Sequence, residues 1–174
     1  MRKDNYRMIS EAVKSSGFMT GYIIWFNRII TTMIYLIYPA LLLILILRTR
    51  GDLSLGQGFI PALLIPGISF ILLSIVRDRI NAPRPYEVFD ISPIIDKKTA
   101  GHSFPSRHIF SIFIIATTMF YFYPVPGILI GVTGIALALN RVLGGVHFIK
   151  DVTVGALAGV FCGILGFYVI LPLI

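Results

Sequence analysis

The sequence predicts an all-α fold: a polytopic membrane bundle of about five transmembrane helices, preceded by an N-terminal interfacial helix. Composition is the first observation. Hydrophobic residues make up 56% of the 174 positions, and the mean hydropathy is +0.87, far above an ordinary soluble domain. Spacing is the second, because most of the long runs between charged residues are about 15 to 25 residues, enough helix to cross roughly 30 Å of hydrocarbon. Third, the charged residues gather at the ends of these runs.

Taken in order, residues from about Asn5 to Thr20 read as the interfacial helix. Tyr6, Ile9 and Val13 recur at helical spacing, with Arg7, Glu11 and Lys14 on other faces. Met1 to Ser16 is polar and charged, so no cleavable signal peptide is evident. The first span is expected from about Trp25 to Leu47, ending at Arg48 and Arg50, and a Gly-containing turn leads to Gly58. The second span is expected from Phe59 to Val76, kinked at Pro61 and Pro66 and stopped by Arg77-Asp78-Arg79. Ile80 to Phe104, with Pro83, Pro85 and Pro93, is the longest non-spanning stretch.

Ile109 to Asn140 carries no formal charge, and Tyr123-Pro124-Val125-Pro126-Gly127 breaks it into two short spans. Each is short for a bilayer, since 15 residues of helix reach only about 23 Å. The last span runs from about Asp151 to Leu173. Its Gly155, Gly159 and Gly163 recur every fourth residue, a pattern that lets helices approach closely. No internal repeat interrupts this plan, and residues 1–174 read as a single membrane-embedded domain.

Several function classes recede on composition. The one cysteine, Cys162, lies in an apolar run, so its expected role is packing and no disulfide framework exists. The net charge of +7 suits either anionic lipid headgroups or a basic pocket for a phosphorylated substrate. Nucleic-acid binding fits poorly, because the basic residues sit at span ends and not along one solvated face.

Three polar clusters remain: Arg77 to Pro85, Pro105 to His108, and Arg141 to Asp151. Five spans place all three on one membrane face, where ionisable groups are costly and are functional candidates by default. His147 and Asp151 are four apart and share a helix face. The carboxylate can then fix the imidazole tautomer and leave the other ring nitrogen basic; the competing reading is a helix cap beside a satisfied histidine. Gly144-Gly145 just upstream offers a place where a ligand can approach the backbone.

Ser106 is an N-cap candidate whose following amides can bind an anion, with His108 near a leaving oxygen. The alternative is a capped helix with a snorkelling Arg107 and an interfacial histidine. Arg77 and Arg84 can orient a phosphoryl group through forked hydrogen bonds; the alternative is interfacial positive charge, which is the reading for Arg79. Lys97 and Lys98 are expected to be solvated, and His102 to be a surface histidine.

In order and spacing these segments resemble the type 2 phosphatidic acid phosphatase family, whose signature reads K-x6-RP, PSGH and SR-x5-H-x3-D. The matching segments are Arg77 to Pro85, Pro105 to His108 and Asn140 to Asp151, with every internal spacing kept. Arg77 stands where the family usually has Lys, Arg107 where it has Gly, and Asn140 where it has Ser. The resemblance implies His147 as nucleophile, Asp151 orienting it, and His108 protonating the leaving group. It also implies Arg77, Arg84, Ser106 and Arg141 around the phosphoryl oxygens, helped by the Arg107 amide. No metal or cofactor is implied, because fixed cationic and amide donors supply the stabilisation.

The implied activity is hydrolysis of an amphiphilic lipid phosphate or diphosphate through a phosphohistidine, with the tail left in the bilayer. Undecaprenyl diphosphate is favoured over phosphatidylglycerophosphate and phosphatidic acid. A non-enzymatic anion channel or transporter would explain the arginines, but gives no reason for His147/Asp151 beside His108. The expected location is the cytoplasmic membrane with the site on its outer face, although five spans then put the basic N-terminus outside, against the positive-inside tendency. Membrane lipids are the other expected partner, and oligomeric state stays open.

Overall fold

A computed structural model describes residues 3–50, 58–95 and 100–173, which contain helices and no strand. The helices are α1 (Lys3–Ser15), α2 (Gly17–Arg48), α3 (Phe59–Ile80), α4 (Pro85–Phe89), α5 (Arg107–Phe122), α6 (Pro124–Leu143) and α7 (Ile149–Ile164). The last continues as a π-helical segment, Leu165–Ile170, and a 3-10 turn, Leu171–Leu173. Four of the helical stretches are long and apolar enough to cross a membrane, and α5 is a shorter apolar fifth. The protein is thus a multi-pass membrane bundle. The expected turn at 51–57, like Lys97 and Lys98, lies outside the described residues.

The interfacial helix ends earlier than its apolar spacing suggests. Ser16 is extended, and its hydroxyl accepts the Met19 N–H at 3.3 Å, capping a new helix. The first span therefore begins at Gly17, not Trp25, and its 32 residues reach about 48 Å. That exceeds the hydrocarbon thickness, so Tyr22 and Trp25, both exposed, stand where aromatic side chains favour the membrane interface.

The second span runs past the charge run that was expected to stop it. Arg77 and Arg79 sit in the last turn of α3, which closes at Asn81 in the left-handed conformation (φ 42°, ψ 45°). Two residues apart, the arginines face differently: Arg77 is buried and Arg79 exposed. Pro61 falls in the first turn, where a missing N–H costs nothing. Pro66 deprives the Ala62 carbonyl of its helical donor. Tyr38 of α2 supplies the replacement, its hydroxyl donating to Ala62 O at 2.8 Å.

α5 is the enclosed element. It is 16 residues long, buries eight of them from Ile109 to Met119, and packs chiefly between α6 and α7. Protein and not lipid surrounds it, which relaxes the length requirement. The glycine stripe of α7 makes the contact close: a Cβ on Gly155 would lie 2.7 Å from Ser106 O, and one on Gly159 would lie 2.7 Å from Phe110 O. Backbone thus rides on backbone, and the α7 N-terminus is held against the α5 N-terminus. The C-terminal ends of α3 and α6 meet them at the same end of the bundle.

Candidate active site

The loop between α6 and α7 carries His147. Gly145 takes φ +79°, which disfavours a side chain. Gly144 meets the Ile95 side chain, so this glycine pair seats the segment before α5 and does not open space for a ligand. Beyond it, the Asp151 carboxylate folds back to accept the Phe148 N–H at 3.0 Å, anchoring the start of α7. His147 Nδ1 lies 3.6 Å from Asp151 Oδ2. Ser103 enters between them: its hydroxyl donates to Asp151 Oδ2 at 2.5 Å and lies 3.4 Å from His147 Nδ1.

His147 is 1% exposed, while Ser103 and Asp151 are 0%. Burial pulls the imidazole pKa down to about 4; Arg141 and Arg84 push the same way, while Asp151 opposes. The ring is therefore neutral at neutral pH. With Nδ1 turned to the hydroxyl and carboxylate, Nε2 is left as the free basic nitrogen.

Arg84 is buried and gives three of its five N–H groups to carbonyls. Its Nε donates to Gly101 O at 2.9 Å, Nη1 to Val146 O at 3.0 Å and Nη2 to His102 O at 3.3 Å. Burial lowers its pKa, and Tyr86, Glu87 and Asp151 counter that. Glu87 holds the surrounding backbone by accepting the N–H groups of Arg84 and Gly101. Arg77 Nη1 donates to Pro105 O at 3.2 Å. Arg141 is buried within the fields of Arg84 and Arg77.

The three clusters are therefore joined pairwise, by Arg77 to Pro105, Arg84 to Val146, and the Ser106 N–H to Asp151 O at 2.9 Å. Three buried guanidiniums face one buried carboxylate, an excess that calls for an anion. Ser106 departs from expectation in one respect. It occupies the N-cap position of α5, but its hydroxyl makes no cap bond. Ser106 Oγ and Arg141 Nε are both buried without a partner, and each such donor costs about 1–3 kcal/mol unless a ligand completes it.

Other candidates lie elsewhere. His108 is half-buried, on the first turn of α5, and lines a cavity of about 360 Å³ between α2, α3 and α5. The walls are mainly apolar, with Tyr35, Tyr38, Pro66 and Phe70 among them. Arg107 also lines it, but is exposed, with its guanidinium 5.6 Å over the Phe70 ring and its charge still felt by buried Arg77. Asn140 donates to Ile23 O of α2 at 3.3 Å, tying helices together. The His102 side chain is 42% exposed, with Nδ1 3.2 Å from Asp78 Oδ1, although its carbonyl serves Arg84.

Two residues escaped the sequence reading. Ser103 sits in an irregular loop, where no periodicity marks it; its nearness to Ser106 was the one available cue. Tyr6 was counted on the apolar stripe of the interfacial helix. Tyr6 and Val13 of that stripe are buried: the Tyr6 ring packs against Phe89 and Phe148, and its hydroxyl donates to Val142 O at 2.8 Å with His147 O at 3.1 Å. Burial, chiefly, raises its pKa well above the usual phenol value.

Comparison with known proteins bears on the fold and the family. Over 86 residues the chain is 34% identical to the bacitracin transport permease protein BcrC of Bacillus licheniformis, a match covering 48% of this chain and 42% of that protein. The chain thus spans about two fifths of the length of that curated relative. Its fold is similar to the crystal structure of Aquifex aeolicus LpxE, with a TM-score of 0.72, 24% identity, and 95% and 93% of the two chains covered. It is also similar to a PAP2-type phosphatidylglycerolphosphate phosphatase from Bacillus subtilis, with a TM-score of 0.59, 20% identity, and 92% and 90% covered. Residues 58–173, from the N-cap of α3 through the 3-10 turn that follows α7, match the PAP2 superfamily, and the chain belongs to that superfamily.

Proposed function

We propose that this protein is an integral-membrane phosphatase that hydrolyses an amphiphilic lipid phosphate or diphosphate through a phosphohistidine on His147. The observation that carries the reading is the pair of buried, unpartnered donors, Ser106 Oγ and Arg141 Nε, in the cluster that holds neutral His147 and three buried arginines. Such a cluster is completed by the oxygens of a phosphoryl group. His147 Nε2 attacks phosphorus, the bond to the leaving oxygen breaks, and His108 gives that oxygen its proton. Water then attacks phosphorus, passes a proton to His108, and the N–P bond breaks to release phosphate. Asp151 orients His147, and Arg77, Arg84, Arg141, Ser106 and the Arg107 amide hold the phosphoryl oxygens.

The apolar cavity beside His108 supports a lipid leaving group, and Arg107 at that cavity supports a second anionic group on it. We therefore favour a polyprenyl diphosphate such as undecaprenyl diphosphate over phosphatidylglycerophosphate or phosphatidic acid. The site end of the bundle is assigned to the outer face of the cell membrane, with Arg48 and Arg50 at the cytoplasmic end. Labelling of Arg50→Cys in a Cys162→Ser background tests that side.

Phosphate release by the purified protein from a panel of these three lipids tests the reaction and the preference together. Turnover fastest on the diphosphate is the expected result. Preference for a monophosphate lipid overturns the substrate assignment alone. No turnover of any lipid, with anion flux in liposomes, overturns the enzyme reading in favour of a channel.

A further inference from the structure

We infer that Ser103 is a positioning residue that links Asp151 to His147, so that the carboxylate steers the imidazole through a hydroxyl. This rests on the phosphatase reading above. The distances carry it. Direct approach of His147 Nδ1 to Asp151 Oδ2 is 3.6 Å, beyond hydrogen-bond reach, whereas Ser103 Oγ lies 2.5 Å from the carboxylate and 3.4 Å from Nδ1, at the outer limit of that reach.

A serine hydroxyl has one proton to give and lone pairs to accept with. Asp151 Oδ2 takes the Ser103 proton, and Ser103 Oγ is then left to accept Nδ1–H of His147. The Phe148 N–H occupies the same carboxylate oxygen, while Asp151 Oδ1 is buried without a partner. The interactions of Asp151 thus converge on the oxygen that Ser103 shares. The relay fixes the tautomer with Nδ1 protonated and Nε2 free. When Nε2 bonds phosphorus the ring becomes cationic, and Nδ1–H donates more strongly toward Ser103 and, through it, Asp151. No proton needs to leave the relay.

Burial confines the hydroxyl to this task. Ser103 is fully buried, and its own N–H is fixed by donation to Ala82 O at 2.8 Å. The segment carrying it is held further by Arg84, whose guanidinium grips the carbonyls of Gly101 and His102 and also that of Val146, next to His147. One arginine therefore sets the distance between Ser103 and His147. The sequence shows a serine in a loop; only the fold shows what it stands between.

The test is a cycle of Ser103→Ala, Asp151→Asn and the double variant in detergent-purified protein, read as the rate of phosphohistidine formation after an alkaline quench, in which the acid-labile N–P bond survives. Ser103→Ala should slow it about 10- to 100-fold with KM nearly unchanged, and should add less than about threefold on top of Asp151→Asn. A Ser103→Ala rate within about twofold of the parent, or losses that multiply in the double variant, would overturn the relay. If the alanine variant fails to fold, Ser103→Cys keeps the size and weakens the donor, and carries the same expectation.

A binding measurement separates this inference from the phosphatase reading. Orthovanadate bonds to Nε2, whereas inorganic phosphate needs only the arginines. Ser103→Ala should weaken orthovanadate binding about tenfold and leave phosphate binding within about twofold. Equal weakening of both, or of neither, rejects the relay. Absence of lipid turnover by the unaltered protein rejects the phosphatase reading and leaves the orthovanadate arm to judge the relay.

Discussion

Arg84 and Arg107 lie 23 positions apart in sequence and belong to motifs of similar promise, yet the fold treats them oppositely. Arg84 is 1% exposed and gives three N–H groups to carbonyls, whereas Arg107 is exposed and rests over Phe70 at the mouth of an apolar cavity. Arg77 and Arg141 side with Arg84, both buried within reach of its charge. A buried guanidinium held at fixed distance is pre-organised for one anion; an exposed one adapts to whatever passes. Burial, not charge, separates the phosphate clamp proposed for Arg84 from the selectivity contact proposed for Arg107.

The largest effects should come from what the buried set surrounds. His147→Ala and His108→Ala are each expected to cut phosphate release by at least about 10² to 10⁴-fold while the protein still folds in detergent. Retained activity in His147→Ala removes it as nucleophile. Arg84→Lys comes next, since one ammonium cannot serve Gly101, Val146 and His102 together. Loss of about 10² to 10³-fold in kcat/KM is expected, with about 1–3 kcal/mol of stability lost through stranded carbonyls. Denaturant melts alongside kinetics check both figures.

A pH series of thermal stability tests the buried environment independently of turnover. His147 titrates at about 4 in the fold, against an ordinary value of 6.5. Between those values the unfolded chain takes up a proton that the folded chain refuses. The stabilisation is thus complete above about 6.5 and fades as pH falls toward 4. Tm should decline across that window in the parent and decline less in His147→Gln; parallel curves contradict a neutral buried imidazole. Arg107→Gln should have the mildest consequence, less than about tenfold in kcat/KM, since exposed charges interact weakly. The loss should be larger on a diphosphate lipid than on a monophosphate lipid, and an effect matching Arg84→Lys would erase the distinction between the two arginines.

Much of the architecture was legible because lipid imposes a coarse rule that length and charge reveal. The pairing of short spans across Tyr123 and the Gly155/Gly159/Gly163 stripe needed only periodicity and punctuation. Boundaries were less legible: a single hydroxyl, Ser16, moved the first span eight residues forward, and α3 carried Arg77 and Arg79 into its last turn. Local hydrogen bonds override hydropathy there. Ser106 could be placed at an N-cap, but not its hydroxyl, which the close seat of Gly155 on Ser106 and the bond of Ser106 N–H to Asp151 O leave unpartnered.

The sequence by itself determined that this chain is a helical membrane bundle, that its polar clusters share one membrane face, and that their spacings match a phosphatase signature. Those follow from short-range facts: the length of an apolar run, the parity of spans, the distance between two residues along one chain. Tertiary structure alone decided that Arg107 faces outward, that Tyr6 braces the His147 loop, and that Ser103 stands between His147 and Asp151. Each depends on which surfaces meet across the bundle, and a loop serine 44 residues from its histidine leaves no periodic trace of that meeting.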